Sequence, residues 1–453
     1  MALPDLRVSG WRQSLCKPAC SYRPFSAPRA GASVSKHRQR RRKGEVAAMN
    51  SAFATLYRGF LIAFLCLAAS ASNGAKGEQA SSFVTVKDTH FELDGAPFSV
   101  AGVNNHYLPY GSRDEVIRVL DDAVAMKANV VRTFIQPVIG SLHGAMPTIW
   151  NWRSTADTSN LNVHGVYMLS WDAQQARMAV NDGPNGLQRI DFLLDEAKKR
   201  GLKVIIAFLD FWSYTGGAQQ MRAWYGSDDV YSFFAEDART IADYKRWVET
   251  VITRVNSING IRYAADPTIF SWELMNEPDI HPEALLKSWL TEMAIFVKSL
   301  DPDHLLASGH SNPNGEFPDM EISQIDFGTW HGYPRWNGIT PDEMNERIRA
   351  FCSAGAAFNK PVMLEEFGWS AAHADQIDVY RNWMDALYNS DCAGWVVWRL
   401  VSRQDGGQFP DDPVDGFDIH NDGGPLWNLM RDAAEKQIAK PNQIKLLAIP
   451  STK

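Results

Sequence analysis

The chain has 453 residues, 45% hydrophobic and 21% charged, a globular composition with ample length for a full core. Its formal charge of −7 is unevenly placed: residues 1–71 hold 12 Lys and Arg against two acids, Asp5 and Glu45, which leaves 33 basic and 50 acidic residues, or −17, in the remainder. That acidic body argues against nucleic acid as a ligand, because phosphate binding needs clustered cations, and it fits a neutral one.

Residues 1–48 carry the basic run 36–43 and no periodic apolar pattern, so they read as a disordered leader or as translation from a start placed too far upstream. Residues 49–71 read as a secretory signal: Met49 opens it, Arg58 precedes the apolar run Leu61-Ile-Ala-Phe-Leu-Cys-Leu-Ala-Ala69, and the small residues Ala69-Ser70-Ala71 close it. The run is too short to span a bilayer comfortably. Cleavage is expected after Ala71, giving a secreted protein, extracellular or periplasmic, with no stable membrane association. Cys352 and Cys392 remain after cleavage, each just before an expected strand; they either pair at the bottom of the fold or stay as two buried thiols.

Residues 83–98 alternate apolar and polar side chains and turn at Asp94-Gly95, the pattern of a small hairpin. Beyond it, eight apolar runs read as strands: 98–103, 129–134, 203–209, 268–274, 304–309, 326–331, 361–365 and 394–400. Amphipathic helical patterns lie between them at 113–128, 187–200, 236–256, 282–299, 341–352 and 375–389. Only 310–325 lacks a convincing helix. Eight strand–helix repeats predict an α/β protein, a (β/α)8 TIM barrel in one catalytic domain over 72–440, with 441–453 as a tail. Long loops after strands two and three, 135–185 and 210–235, are rich in aromatics: Trp150, Trp152, Trp171, Trp212, Tyr214, Trp224 and Tyr225. Each is either core or a platform for stacking.

Polar residues end the expected strands: Arg132-Thr133, Trp272-Glu-Leu-Met-Asn-Glu-Pro278, Trp330-His-Gly-Tyr333, Leu364-Glu-Glu-Phe-Gly368 and Trp395-Val-Val-Trp398. Barrel catalysts sit at that end. Two carboxylates there, roughly 5 Å apart, are what double displacement at a glycosidic bond needs, one protonated to donate and one ionised to attack. Glu365 and Glu366 are neighbours, and strand alternation lets only one of them face the interior. Glu273 lies deeper and reads as a buried ion pair, with Arg132 a candidate partner.

The segment Trp272-Glu-Leu-Met-Asn-Glu-Pro278 resembles the acid/base motif of glycoside hydrolase family 5. Gly102-Val-Asn-Asn105, Asn129-Val-Val-Arg132-Thr, Trp212-Ser-Tyr-Thr-Gly-Gly217, Asp266-Pro-Thr-Ile-Phe270 and Leu300-Asp-Pro-Asp-His-Leu-Leu306 are similar to segments of its endo-β-1,4-mannanases. The resemblance covers roughly residues 83–430. It implies that Glu277 is the acid/base, Glu366 the nucleophile and Asn276 the partner of the sugar 2-hydroxyl. It further implies that Arg132 keeps Glu366 ionised, that His331 and Tyr333 line the reacting subsite, and that Trp398 forms its floor, with Trp212 among the substrate-binding residues. Ionised Glu366 should raise the pKa of Glu277. His106 and Arg399 depart from the family pattern. The implied partner is β-mannan or a related β-1,4-linked polysaccharide, attacked from within the chain. An exo-β-mannosidase, a cellulase and a non-catalytic carbohydrate-binding barrel are the alternatives. No cofactor and no metal are expected: His304 and His310 are isolated, and neither His-Glu-x-x-His nor Gly-x-Gly-x-x-Gly occurs.

Overall fold

The computed structural model describes residues 83–149, 164–227, 229–235, 238–410 and 415–448. The leader, the signal-like segment, Trp150 and Trp152 lie outside them. Three short antiparallel strands come first, β1 (Thr85–Lys87), β2 (His90–Leu93) and β3 (Ala96–Phe98). The β2–β3 turn is built by Asp94 at φ 53° and Gly95 at φ 73°, a left-handed pair that favours Asp-Gly. This meander has one strand more than the expected hairpin. Phe91 of β2 packs edge-on against Phe270 and Phe327, with ring centroids 5.1 and 5.3 Å away, and so helps fill the interior of the barrel near the start of its strands.

Eight further strands form one all-parallel sheet: β4 (Val100–Asn104), β5 (Val130–Phe134), β8 (Lys203–Ala207), β9 (Ile269–Glu273), β10 (Leu305–Ala307), β11 (Gly328–Gly332), β12 (Val362–Phe367) and β13 (Gly394–Val397). Their order is β10-β9-β8-β5-β4-β13-β12-β11. The gap between β10 and β11 is bridged by Asp326 N–H to Leu306 O and by His331 N–H to Ser311 O, both 2.8 Å, so the sheet curls into the expected (β/α)8 barrel. All eight strands are buried throughout, as strands wrapped by helices must be.

The outer helices are α1 (Arg113–Ala125), α2 (Gln188–Lys199), α3 (Ala238–Ile252), α4 (Glu283–Leu300), α5 (Pro341–Ser353), α6 (Gln376–Tyr388) and α7 (Pro425–Ala448). Helices α1 and α5 both start with a capping box: Ser112 with Glu115, and Thr340 with Glu343. Between β10 and β11 there is only the 3-10 turn Pro318–Glu321, in keeping with the missing helical pattern. Helix α7 runs on to Ala448, into the segment expected to be a tail. The two insertions carry structure of their own: the first holds the hairpin β6 (Leu169–Asp172) with β7 (Arg177–Val180), and the second the helix Gly217–Ala223 between two 3-10 turns. Among the described residues no helix is long and apolar enough to cross a membrane.

Cys352, in the last turn of α5, and Cys392, ahead of β13, form a disulfide with a Cα–Cα distance of 4.7 Å. It closes a loop across a sequence separation of 40, for which chain entropy alone gives about 4 kcal/mol. Replacing both cysteines with alanine should lower the unfolding free energy by about 2–4 kcal/mol in urea titrations. No loss would mean that the unfolded chain is not constrained by this link.

Candidate active site

The strand ends converge on one mouth, and Arg132 of β5 is its centre. The side chain is wholly buried, and its guanidinium fork is spread over five partners. Nε lies 3.0 Å from each oxygen of Glu273, and Nη2 lies 2.8 Å from Glu273 Oε2 and 2.9 Å from Asn276 Oδ1. Nη1 reaches Glu366 Oε1 at 2.6 Å and Asn104 Oδ1 at 3.1 Å, and Nη2 stands 3.5 Å from Glu365 Oε2. Planar, always charged and fork-shaped, arginine suits such a set in a way lysine does not.

Glu277 follows β9 with φ 47°, a left-handed backbone that is costly for a residue with a Cβ and that occurs mainly where the surroundings enforce it. Its N–H is tied to Gly309 O at 2.9 Å. Gly309 in turn must lack a side chain, since a Cβ there would lie 2.0 Å from Met275 O. The Glu277 carboxyl accepts from Trp212 Nε1 at 2.7 Å and meets His331 Nδ1 at 2.6 Å. Its side chain is 21% exposed, against 5% for Glu366 and none for Glu273 and Glu365, so Glu277 is the carboxyl most open to the cleft. Tyr333 donates its hydroxyl to Glu366 Oε2 at 2.8 Å and is stacked on Phe417. One oxygen of Glu277, one of Glu366 and one ring nitrogen of His331 lie within 4.8 Å of one another. The half-buried Trp398 lies near-parallel to Phe134 and tilted by 30° from His106, with centroids 6.2 and 6.1 Å away.

Two expectations are corrected. Glu365 and Glu366 both enter the barrel. Trp330 of β11 pairs with Leu364 but His331 pairs with Glu366, so Glu365 is the extra residue of a bulge, and a bulge suspends the alternation that would send it outward. The order of the two pKa values is also the reverse of that expected in the free protein. Burial pushes Glu277 upward, but its hydrogen bond to His331, the His331 charge and the Trp212 bond together carry it below the usual carboxyl range. Burial, with the charge of Glu277 adding to it, leaves Glu366 above that range despite His331 and Arg132. Tyr333 stays a phenol donor, since burial and the Glu366 charge hold its pKa well above 10.

Asp210 escaped the sequence reading. It holds Asn276 Nδ2 at 2.9 Å, and burial raises its pKa to about 7, helped by Glu277 and Glu366. Its place directly after the expected strand 203–209 was the available signal. Asn104, quoted only as part of a motif, fixes Arg132 and also donates to the Glu365 carbonyl at 2.8 Å. The two positions that depart from the family pattern touch each other: Arg399 Nη1 lies 3.0 Å from His106 Nδ1, and Arg399 Nε is paired with Asp418 at 2.7 Å. Of the loop aromatics, Trp224 is buried with Nε1 bonded to Ile139 O, and Trp171 stacks on it, so both are core of the insertions. Tyr214 is 52% exposed, as is, more so, the unforeseen Trp336 at 58%.

Among the described residues, two clusters bring three potential metal donors together, Glu277–His331–Glu366 and Glu115–His164–Asp405. In the first, both His331 nitrogens already face carboxylate oxygens, Nδ1 at 2.6 Å from Glu277 and Nε2 at 3.4 Å from Glu365. In the second, Glu115 already accepts from the Ser112 and Asp405 amides.

Comparison with known proteins adds the lineage. Residues 81–390 match the model of a family described as GH family 5 beta-mannosidase-like. The chain is 30% identical to mannan endo-1,4-beta-mannosidase 1 of Solanum lycopersicum over 388 residues, covering 76% of this chain and 88% of that one. It is 28% identical to mannan endo-1,4-beta-mannosidase A of Podospora anserina over 368 residues, covering 76% and 89%. Among solved structures, the endo-1,4-beta-mannanase from Rhizomucor miehei superimposes with a TM-score of 0.66 at 26% identity, over 79% of this chain and 99% of that one.

Proposed function

The chain belongs to the glycoside hydrolase family 5 β-mannosidase-like family, and from that premise we propose that it is an endo-acting β-1,4-mannanase that cleaves mannan and glucomannan by double displacement. The substrate class follows the relatives, and one observation carries the double displacement. Oxygens of Glu277 and Glu366 lie within 4.8 Å of each other, a gap suited to direct attack by one carboxylate while the other serves the leaving oxygen. Inverting enzymes hold their carboxyls about 6.5–9.5 Å apart, to admit a water between them.

In this reading Glu366, held by Arg132 and Tyr333, attacks the anomeric carbon, and Glu277 protonates the departing oxygen and later activates water. Asn276, braced by Arg132 and Asp210, takes the 2-hydroxyl, Trp398 supports the reacting ring, and Trp212 orients Glu277 from the side of the cleft. Secretion is part of the proposal. It is supported by the apolar run 61–69, by the Ala69-Ser70-Ala71 stretch and by a disulfide that suits an oxidising compartment.

Incubation with β-1,4-mannan and glucomannan should release a ladder of short oligosaccharides with retained β anomers, and secreted material should begin near Ser72 by N-terminal sequencing. Mannose as the sole early product would mark an exo-acting enzyme. Intact mannan beside degraded cellulose would overturn the substrate assignment.

A further inference from the structure

Among the described residues, the large aromatic side chains left exposed are Tyr214, Tyr231 and Trp336, at 52, 45 and 58%. All three stand on loops at the C-terminal mouth of the barrel. Tyr214 and Tyr231 belong to the insertion after β8, in the turns Ser213–Thr215 and Val230–Phe233, and Trp336 belongs to the single helical turn Pro334–Asn337 after β11. On the outer helices the exposed large apolar side chains are aliphatic: Val124, Ile295 and Ile438. Aromatic rings kept in water on the face that holds the site, and on that face alone, mark a surface shaped for a ligand.

Trp336 is the most exposed of the three, and its seat is fixed. Pro334 opens the turn, and Gly338 ends it at φ 66°. The Tyr333 N–H binds Asn337 Oδ1 at 2.8 Å, and the Trp336 N–H binds the Tyr333 carbonyl at 2.9 Å. The Arg335 guanidinium lies over the indole, 4.5 Å from its centroid, and covers one face, so the exposure falls on the other face and the rim. Tyr333, from which the turn hangs, is the residue whose hydroxyl binds Glu366 at 2.8 Å. The open indole face is thus tied by backbone to the reacting centre.

The order of the strands tells which half of the cleft it serves. Trp398, with Phe134 and His106 beside it, lies where β13, β4 and β5 end. Glu277 follows β9, directly across the ring of eight strands from β13. The leaving oxygen turns toward Glu277, so the departing part of the chain passes over the ends of β9, β10 and β11. Trp336 stands on that rim. Resting on the mannanase reading for this direction, we propose that Trp336 is a sugar platform on the leaving-group side: its open face stacks on the C–H face of a neutral hexopyranose unit beyond the bond that is cut. Ring C–H groups carry slight positive charge and meet the negative face of an indole favourably, and a ring already held in place loses little freedom on binding. The same platform holds an acceptor sugar in the second half of the reaction. An acceptor hydroxyl then takes the place of water: its proton goes to Glu277, its oxygen bonds to C1, and the Glu366–C1 bond breaks.

Trp336→Ala changes an exposed side chain and leaves the core alone. On mannohexaose, kcat/KM should fall by about 5–30-fold, mostly through KM. On an aryl β-mannobioside, which has no sugar beyond the bond that is cut, it should stay within about twofold. Mannotriose added as acceptor should capture the glycosyl unit less often, relative to water, by a factor of the same order. Trp336→Phe should restore most of each loss. Equal losses on both substrates overturn the proposal, as does a phenylalanine variant no better than the alanine one. Calorimetric binding of manno- and cello-oligosaccharides to Glu366→Ala, with and without Trp336→Ala, needs no turnover. Dependence on Trp336 for cello-oligosaccharides alone would overturn the mannan reading and uphold the platform. Dependence for neither would overturn the platform itself.

Discussion

Glu366→Ala should abolish hydrolysis of mannan, and added azide should then restore turnover with an α-mannosyl azide as product. The expectation follows from the geometry. Glu366 is the one carboxyl that Arg132 at 2.6 Å and Tyr333 at 2.8 Å both bond while it lies within reach of Glu277. Without it no covalent intermediate forms, and a small anion in the vacated space attacks from the same face, inverting the centre once. Glu277→Ala behaves differently. The nucleophile survives, so aryl mannosides with good leaving groups still mannosylate the enzyme, and azide intercepts that intermediate to give a β-mannosyl azide. Loss of general acid–base help costs about 10²–10⁴-fold on polysaccharide and much less on activated substrates. Product anomers determined by NMR for both variants decide the matter. Identical anomers, or full mannan activity in either variant, would show that the pair is wrongly assigned, with Glu365 and Glu273 the nearest rivals.

Arg132→Met is the second large effect, and it falls on stability as well as on rate. The substitution leaves Glu273, Glu365 and Glu366 in a site closed to water with His331 as the cation still bonded to their group. Breaking a buried pair in this way costs about 3–5 kcal/mol, because the desolvation of the abandoned charge is no longer offset. The cost should depend on pH. With the guanidinium gone, the folded-state pKa values of Glu273 and Glu366, already above the usual carboxyl range, rise further, and Glu365 loses the largest of the charges that hold it below that range. A group whose pKa is raised by folding supports the fold below its unfolded pKa and loses that contribution as pH climbs through its folded pKa. Denaturant titrations should therefore find Arg132→Met destabilised more at about pH 8 than at about pH 5. A pH-independent loss under about 1 kcal/mol would mean that the network is relieved by entering water. Arg132→Lys should recover part of the stability but little activity, since an ammonium cannot span Glu273, Asn276 and Glu366 at once.

Much of this site was legible as sequence because its members mark the C-terminal ends of strands. Runs such as 129–134 and 268–274 are apolar enough to be read as buried strands, and the polar residues that end them stand out against that background. Arg132, Glu273, Asn276 and Glu277 were visible for this reason, and so was the missing helix between residues 310 and 325. The aromatic insertions were less readable. A tryptophan that fills a core and one that meets a sugar have the same composition, so only packing separates Trp224 from the exposed Tyr214.

Sequence alone determined the eight strands with their intervening helices, the gap at 310–325 and the family, and it named Glu277 and Glu366 as the pair to test, because these rest on local periodicity and on contiguous motifs. The tertiary structure decided what depends on contacts between distant strands. The bulge in β12 that brings Glu365 inside is a matter of register against β11. The union of Arg132 with carboxyls 141 and 234 residues away needed the barrel to close. The lowering of Glu277 comes from a 2.6 Å bond to His331, a group 54 residues away, and the raising of Glu366 from its burial. Periodicity specifies which face of an element is buried; burial and charge at a site are sums over everything that packs there, and no single stretch of chain contains them.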